Sequence, residues 1–180
     1  MRRVASYIAY YLLARHLPES TKPYALGAKR VRRMLVQQLL LECGSSVNIE
    51  HGADFGSGKR VRLGDRSGIG VNCRLVGDVR IGKDVMMGPE VLIVSVNHRF
   101  GSPIPMIDQG MADSREVVID DDVWIGARAI ILPGVHISRG VVVGAGSVVT
   151  RSIAPNCVVA GNPARVVKDR AYSGSDGDGR

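Results

Sequence analysis

One of the four histidines of this 180-residue chain stands where a regular pattern in the sequence breaks off. His98 belongs to the segment Val96-Asn97-His98-Arg99, which directly follows a long run of regularly spaced aliphatic residues. A neutral imidazole can take a proton from a hydroxyl group near pH 7, which suits general-base catalysis. A solvated loop histidine is the competing interpretation, and the residues alone do not decide between the two.

The other histidines and the cysteines are less suited to chemistry. His51 precedes the regular part of the sequence, His136 occupies an outward position of the repeat, and His16 ends a predicted helix. The three cysteines are odd in number and too widely spaced for a CxxC metal site or a disulfide framework. We therefore predict that the chain binds no metal, and this cysteine usage favours a reducing, cytoplasmic setting.

The elements that must position His98 follow from a repeat of six residues. Glycine occurs 22 times and aromatic residues make up only 4% of the chain, which argues against an ordinary helical bundle. An aliphatic residue occupies every sixth position, Gly often follows it, and a small or β-branched residue precedes it by two positions. The twelve aliphatic positions are Leu63, Ile69, Leu75, Ile81, Met87 and Ile93, and then Ile119, Ile125, Ile131, Ile137, Val143 and Val149.

Such a repeat predicts a short flat strand and a corner in every hexad. The aliphatic side chain would point inward, the small residue would pack at the corner, and Gly would let the backbone turn there. Three strands would form one triangular coil of about 18 residues, and the coils would stack into a parallel β-helix. On these grounds alone, the general preference for right-handed crossovers favours a right-handed coil.

The sequence divides into three predicted segments. Residues 1–43 form a helical N-terminal segment, residues 44–170 form the β-helix, and residues 171–180 form a disordered polar tail. The aliphatic positions Ile93 and Ile119 are 26 residues apart where six would suffice. We therefore expect residues 97–116 to leave the β-helix as a loop, and long excursions from a regular scaffold are usually functional.

The N-terminal segment carries most of the net charge of +7, because residues 1–43 contain eight basic and two acidic residues. Helices are predicted over Val4–Leu17 and Tyr24–Leu41. The apolar run of the first helix imitates a signal peptide, but it is too short to span a bilayer and lacks a cleavage site. A basic face of the second helix could lie near an anionic membrane, although solvent-exposed charge is the simpler interpretation. On that helix, Ala28, Val31, Met34, Leu35 and Leu39 share one face opposite Lys29, Arg30 and Arg33.

Motifs in the second half of the chain resemble the bacterial hexapeptide-repeat acyltransferases, and within them the sugar O-acetyltransferases. That branch includes maltose and galactoside acetyltransferases and enzymes that modify capsule or lipopolysaccharide. The resemblance covers residues 60–170 well. It implies an all-β, left-handed parallel β-helix, a homotrimer with active sites between subunits, and acetyl-CoA as co-substrate without a metal. The motifs are Val123-Trp124-Ile125-Gly126-Ala127, Leu132-Pro133-Gly134-Val135, Gly144-Ala145-Gly146-Ser147-Val148-Val149-Thr150 and Gly161-Asn162-Pro163-Ala164.

The resemblance also implies roles for individual residues. His98 would be the general base, and the backbone N–H of Ala127 would stabilise the oxyanion. Asn72, Asp78 and Asn97 would hold the acceptor, although Asn72 can also be a corner Asn that tolerates a left-handed backbone. Arg99 departs from the family, because many members have Pro after the histidine. The residues that would contact coenzyme A are Trp124, Gly126, Ala127, Gly144, Ala145, Thr150, Arg151, Arg165 and Lys168.

Together these features predict an acetyl-CoA-dependent O-acetyltransferase that acts on a sugar or polysaccharide precursor by direct transfer. An acetyltransferase for serine, an amino sugar or an antibiotic is one alternative. A non-catalytic β-helix that serves as a scaffold or binds an anionic surface is the other, and the net charge motivates it. Nucleic acid is not an expected partner, because the chain has no nucleic-acid-binding motif and few aromatic residues for base stacking.

Overall fold

The computed structural model describes residues 2–170, in which two short helices precede a three-sided stack of parallel strands. The predicted disordered tail of residues 171–180 lies outside the described residues. The strands are β1 (Glu42–Cys43), β2 (Asn48–Ile49), β3 (Val61–Leu63), β4 (Gly68–Ile69), β5 (Arg74–Val76), β6 (Val79–Ile81), β7 (Met86–Met87), β8 (Leu92–Val94), β9 (Val117–Ile119), β10 (Trp124–Ile125), β11 (Ile130–Ile131), β12 (His136–Ile137), β13 (Val142–Val143), β14 (Val148–Val149), β15 (Cys157–Gly161) and β16 (Ala164–Asp169).

Both helices are shorter than the sequence predicted. Helix α1 spans Arg2–Leu12 and is followed by a single 3-10 turn at Ala14–His16, and helix α2 spans Ala28–Val36. The predicted start of the second helix at Tyr24 is wrong, because Gly27 has a φ of 85°. A residue in that left-handed conformation cannot belong to a right-handed α-helix.

Three parallel sheets form the faces of the β-helix. Face A contains β1, β3, β6, β9 and β12, and face C contains β5, β8, β11 and β14. Face B contains the pair β2–β4, followed by β7, β10, β13 and β15. Strand β16 breaks the pattern, because it runs antiparallel to β15 and covers the outer edge of face B.

The aliphatic residues of the hexads stack in inward columns, one on each face. On face A, Leu63 pairs with Ile81, Ile81 with Ile119, and Ile119 with Ile137. Eleven of the twelve repeat positions are buried, and only Met87 is partly exposed. The predicted hexapeptide β-helix and its narrow aliphatic interior are therefore confirmed.

The glycines of the hexads have a different role from the predicted one. The left-handed corner residue lies two positions after the hexad glycine, as at Asn72 (φ 53°) and Glu90 (φ 58°). A Cβ atom on Gly70 would lie 2.3 Å from the carbonyl oxygen of Gly88 in the next coil. Gly is therefore required by the close approach of successive coils, and the prediction that it makes the turn is wrong.

The long insertion leaves the stack at the corner between faces C and A. Paired residues on either side of it are 38 positions apart, as at Val79 and Val117, whereas Val61 and Val79 are 18 apart. After the insertion, the N–H of Arg115 donates to the carbonyl of Ser95 and the strands resume. The insertion therefore adds 20 residues at one corner and leaves the inward columns in register.

The N-terminal helices pack against the first coil of the β-helix. Tyr10 contacts Phe55, and its hydroxyl donates to the carbonyl of Ala53 at 2.9 Å. In α2 the buried positions are Ala28, Arg32 and Val36. Burial does not follow the apolar face of the helical wheel, since Val31 and Met34 are 44% and 57% exposed. Arg32 occupies the centre of the buried face because Ile49 and Glu50 of the first coil, and Leu17 and Pro18 before α2, accept its hydrogen bonds.

Candidate active site

The insertion forms an ordered arm that carries His98 near its base. Its two sides pair in antiparallel fashion at His98 and Met111, and the N–H of Arg99 donates to the carbonyl of Gly110. At the tip, the side chain of Gln109 bonds to backbone groups of the facing segment. Because the arm has its own hydrogen bonds, it holds His98 at a fixed place relative to the β-helix.

His98 lines a cavity of about 570 Å³ between the arm and the corner of the β-helix. In its lining, Arg99 Nη2 lies 3.9 Å from Asp113 Oδ1, and the guanidinium of Arg115 donates to the carbonyl of Pro133 at 2.9 Å. The His98 side chain is exposed and makes no hydrogen bond to any other residue between 2 and 170. Its imidazole is therefore available to a ligand in the cavity.

The predicted acceptor residues Asn72 and Asp78 do not line this cavity. Asn72 is a left-handed corner residue, in line with its structural interpretation. Arg60 donates to Asp78 through both Nε, at 2.7 Å, and Nη2. These hydrogen bonds hold the pKa of the Asp78 carboxyl below its ordinary value. Asp78 is therefore a carboxylate whose hydrogen-bond partner is Arg60.

Ser95 connects Asp78 to the arm. The Ser95 hydroxyl accepts a hydrogen bond from the backbone N–H of Asp78 at 2.7 Å and lies 2.8 Å from the hydroxyl of Ser114. Sequence reasoning missed Arg60, Ser95 and Ser114. The spacing could have found the first of them, because Arg60 precedes Asp78 by 18 residues, the length of one coil.

Several predicted coenzyme A contacts lie at the corner between faces B and C, which we call the B–C edge (residues 88–90, 126–128 and 144–146). Trp124 precedes this edge on β10, points outward between Met86 and Val142, and is 51% exposed. A Cβ atom on Gly126 would lie 2.5 Å from the nitrogen of Ala145, so the backbones stack closely. The N–H of Ala127, a partly buried residue, donates to no other residue in the described part of the chain.

The predicted cations lie at the C-terminal end of the β-helix. Arg151 and Arg165 line a second cavity, of about 320 Å³, together with the apolar side chains of Ile153 and Val166. Lys168 lies further along β16, opposite Val158, and does not line it. Two guanidinium groups beside an apolar wall fit a phosphate group attached to a planar or aliphatic moiety.

The structure divides the predicted site residues between two edges. Asn97, His98, Thr150 and Arg151 lie at the corner between faces C and A, which we call the C–A edge (residues 95–98, 132–134 and 150–152). Ala127 and its neighbours lie at the B–C edge. In one protomer the whole width of face C separates these edges. A single copy therefore does not bring His98 next to Ala127.

The remaining histidines have local partners. His16 contacts the carbonyl of Tyr11, and His51 contacts the carbonyl of Leu17. His136 points outward on face A and pairs with Asp120 at 2.9 Å. Among residues 2–170, no three His, Cys, Asp or Glu side chains are placed to hold a metal ion. That part of the chain also contains no helix of the length and apolar character needed to cross a membrane.

Comparison with known proteins decides the family. The family model "Bacterial transferase hexapeptide (six repeats)" matches residues 116–151. Over 140 residues the chain is 32% identical to the galactoside O-acetyltransferase of Escherichia coli K12. The aligned region covers 77% of this chain and 68% of that protein. The chain belongs to the hexapeptide-repeat acetyltransferases. As a member of that family it is an enzyme, an acyltransferase, as the resemblance implied.

This acetyltransferase superposes on solved structures over nearly all of its length. For a maltose O-acetyltransferase from Clostridium difficile 630 the TM-score is 0.77 at 30% identity, covering 95% of this chain and 87% of the other. For a galactoside acetyltransferase in complex with coenzyme A it is 0.78 at 27% identity, covering 97% and 86%. These neighbours are left-handed β-helices, and a mirror-image coil would not superpose on them. The left-handed coil is therefore confirmed, and the right-handed expectation from general crossover preference is wrong.

Proposed function

We propose that this acetyltransferase moves an acetyl group from acetyl-CoA to a hydroxyl group of a sugar-type acceptor, with His98 as the general base. The observation that carries the proposal is the position of His98, whose unpaired imidazole lines the cavity at the base of the ordered arm. The relatives named galactoside and maltose O-acetyltransferase support the choice of acceptor class.

Acetyl-CoA is a substrate in this proposal, and the residues at the C-terminal end suit its charged part. Arg151 and Arg165 would bind the phosphates, and the apolar wall that includes Val166 would contact the nucleoside. The pantetheine arm would follow the B–C edge, where Gly144 and Ala145 leave the backbone accessible. The coenzyme A complex of the similar galactoside acetyltransferase supports coenzyme A as the ligand.

The reaction would need one proton acceptor and one hydrogen-bond donor. His98 takes the proton of the acceptor hydroxyl as its oxygen attacks the thioester carbon. The N–H of Ala127 stabilises the negative charge that develops on the carbonyl oxygen. The carbon–sulfur bond then breaks, and the imidazolium returns the proton to the sulfur of coenzyme A. The acetyl group passes directly to the acceptor, so no acyl-enzyme forms.

The separation of His98 from Ala127 makes the site depend on a second copy, and we infer a homotrimer. The outward residues of face C are apolar along β8, β11 and β14 (Leu92, Ile130 and Val148), whereas face A carries charged residues such as Arg62 and Arg80. The arm exposes Phe100 and Ile107, which are 76% and 89% accessible. A threefold arrangement would bury these groups and would bring the C–A edge of one protomer against the B–C edge of the next.

Replacing His98 with Ala tests the general base. We expect turnover to fall by about 10²–10⁴-fold while the affinity for acetyl-CoA stays within about twofold. His136→Ala is the matched control, because His136 is also exposed but lies on face A. Release of free coenzyme A in the presence of galactosides measures turnover, and calorimetry measures acetyl-CoA binding. Turnover of His98→Ala close to that of His136→Ala would overturn the assignment.

Subunit mixing tests whether the site is shared. Ala145→Phe would block the B–C edge at an exposed position, and His98→Ala would disable the C–A edge. Each variant alone should be inactive, but trimers that contain both should regain part of the activity at sites built from two intact edges. If mixing restores nothing while sedimentation shows that mixed trimers form, the proposal of a shared site is wrong.

A further inference from the structure

Helix α1 packs with its polar side inward and exposes its aliphatic side. Ser6 and Tyr10 are buried and hydrogen-bonded, Ser6 to Gln38 and Tyr10 to Ala53. The side chains of Val4, Ile8 and Leu12 recur every fourth residue and are 64%, 52% and 70% exposed. Leu13, directly after the end of α1, is 69% exposed. We call Val4, Ile8, Leu12 and Leu13 the α1 ridge.

Exposed cations lie on the same two helices as the α1 ridge. Arg2 begins α1, and Lys29 and Arg30 lie on the exposed side of α2 together with Met34. None of these three cations forms an ion pair with another residue of the described range 2–170. Arg15 and Arg32, in contrast, are paired with Asp54 and Glu50. The two helices therefore present, besides the ridge, three exposed cations that have no ion-pair partner in this part of the chain.

The two helices face the same way. Both bury one side against the first coil, α1 through Tyr10 on Phe55 and α2 through Arg32 on Ile49. Their exposed sides therefore point away from the first coil of the β-helix. Exposed aliphatic groups and exposed Lys and Arg side chains on the same pair of helices match the chemistry of an interfacial segment, whose apolar side enters the acyl boundary beneath anionic headgroups.

We propose that the N-terminal end formed by α1 and α2 docks on the surface of an anionic lipid bilayer. The α1 ridge would enter the headgroup region, and Arg2, Lys29 and Arg30 would bind the lipid phosphates. In a trimer with parallel β-helix axes, three such ends would lie in one plane and contact the bilayer together. Three weak contacts of this kind would combine into stable binding.

Vesicle flotation tests the docking with the full chain. The protein is expected to float with vesicles of phosphatidylcholine and phosphatidylglycerol, to stay behind with phosphatidylcholine alone, and to be released by high salt. Ile8→Asp should abolish flotation, and Arg30→Glu should weaken it by at least about fivefold. Arg139→Glu is the control, because it makes the same charge change at an exposed position on a C-terminal coil.

Other results would overturn the proposal. The proposal is overturned if the unaltered chain fails to float with the anionic vesicles. Equal flotation with both vesicle types would show that the cations do not contribute to binding. If Ile8→Asp instead changes the oligomeric state in sedimentation, the ridge is covered by a second copy of the chain. Acetyl transfer to a soluble galactoside by Ile8→Asp should match that of the unaltered chain, which shows that the variant folds. Flotation is measured without turnover, so its failure and the failure of the proposed acetyl transfer are distinguishable.

Discussion

Arg32 holds the N-terminal segment on the β-helix, and replacing it with Met tests how strongly. The side chain is fully buried. Its guanidinium donates to the carbonyls of Leu17 and Pro18, at 3.1 and 2.9 Å, and lies 3.4 Å from Glu50 Oε2. A fourth hydrogen bond goes to the carbonyl of Ile49. Met retains the length and the apolar stem of the side chain but removes every donor.

The expected loss follows from what the substitution leaves behind. Glu50 would stay buried without its cation, and three carbonyl groups would lose a donor. Removing one partner of a buried ion pair costs about 3–5 kcal/mol of unfolding free energy. Ser20 and Asn48 continue to donate to Glu50, which places the expectation near the lower limit, about 3 kcal/mol. For a chain of this size, such a loss lowers the melting temperature by about 6–12 °C.

Urea unfolding followed by circular dichroism, at one fixed protein concentration, measures the loss. Arg30→Met is the matched control, because Arg30 is exposed on the same helix and should cost under about 0.5 kcal/mol. The double variant Arg32→Met with Glu50→Gln removes both charges and should recover part of the stability. Should Arg32→Met cost no more than Arg30→Met, the buried pair does not anchor the segment and the reasoning is refuted.

Three further outcomes are expected. Burial raises the pKa of Glu50, but the hydrogen bonds from Ser20 and Asn48 and the charge of Arg32 outweigh burial, so the pKa lies below the ordinary 4.5. The stability due to Glu50 is therefore complete above pH 4.5 and lost as the pH falls through the lowered pKa, so acid unfolding should be steeper than in Glu50→Gln. Gly70→Ala should cost about 1–3 kcal/mol by urea unfolding, and clearly more than Gly68→Ala, whose new Cβ would meet its nearest neighbour only at 3.4 Å. Arg165→Glu should raise the KM for acetyl-CoA by at least about tenfold with a smaller change in kcat, and an unchanged KM would remove Arg165 from the binding site.

The repeat predicted the β-helix because burial in this fold depends on position within a coil. An inward side chain at one position implies an inward side chain 18 residues later, as at Leu63 and Ile81. Six-residue spacing therefore predicted the columns, and the interval without hexads predicted the arm. The same spacing did not predict which residue makes the corner. Close stacking of coils and a left-handed φ both favour Gly, and only the coordinates separate Gly70 from Asn72.

The N-terminal helices were predicted less well, because their burial does not follow hydrophobicity. A helical wheel puts Val31 and Met34 on the apolar face, yet both are exposed. Arg32 is buried instead, because three backbone carbonyls and Glu50 satisfy its donors. Likewise, the apolar run of α1 predicted a helix but not which of its sides is buried, and the hydrogen bonds of Ser6 and Tyr10 place the aliphatic ridge on the exposed side. These contacts join residues far apart in sequence, with no period to reveal them.

The sequence by itself determined the period, the aliphatic interior, the position of the arm and the membership of His98 in that arm. These properties repeat along the chain or interrupt a repeat, so a linear pattern contains them. Tertiary structure decided that Arg60 forms an ion pair with Asp78 and that His98 and Ala127 lie on different edges of one protomer. The physical reason is that a β-helix stacks residues 18 apart along its axis and holds residues of different faces apart by the width of a face. Which edges meet across that width depends on packing between coils and between copies, and not on the repeat.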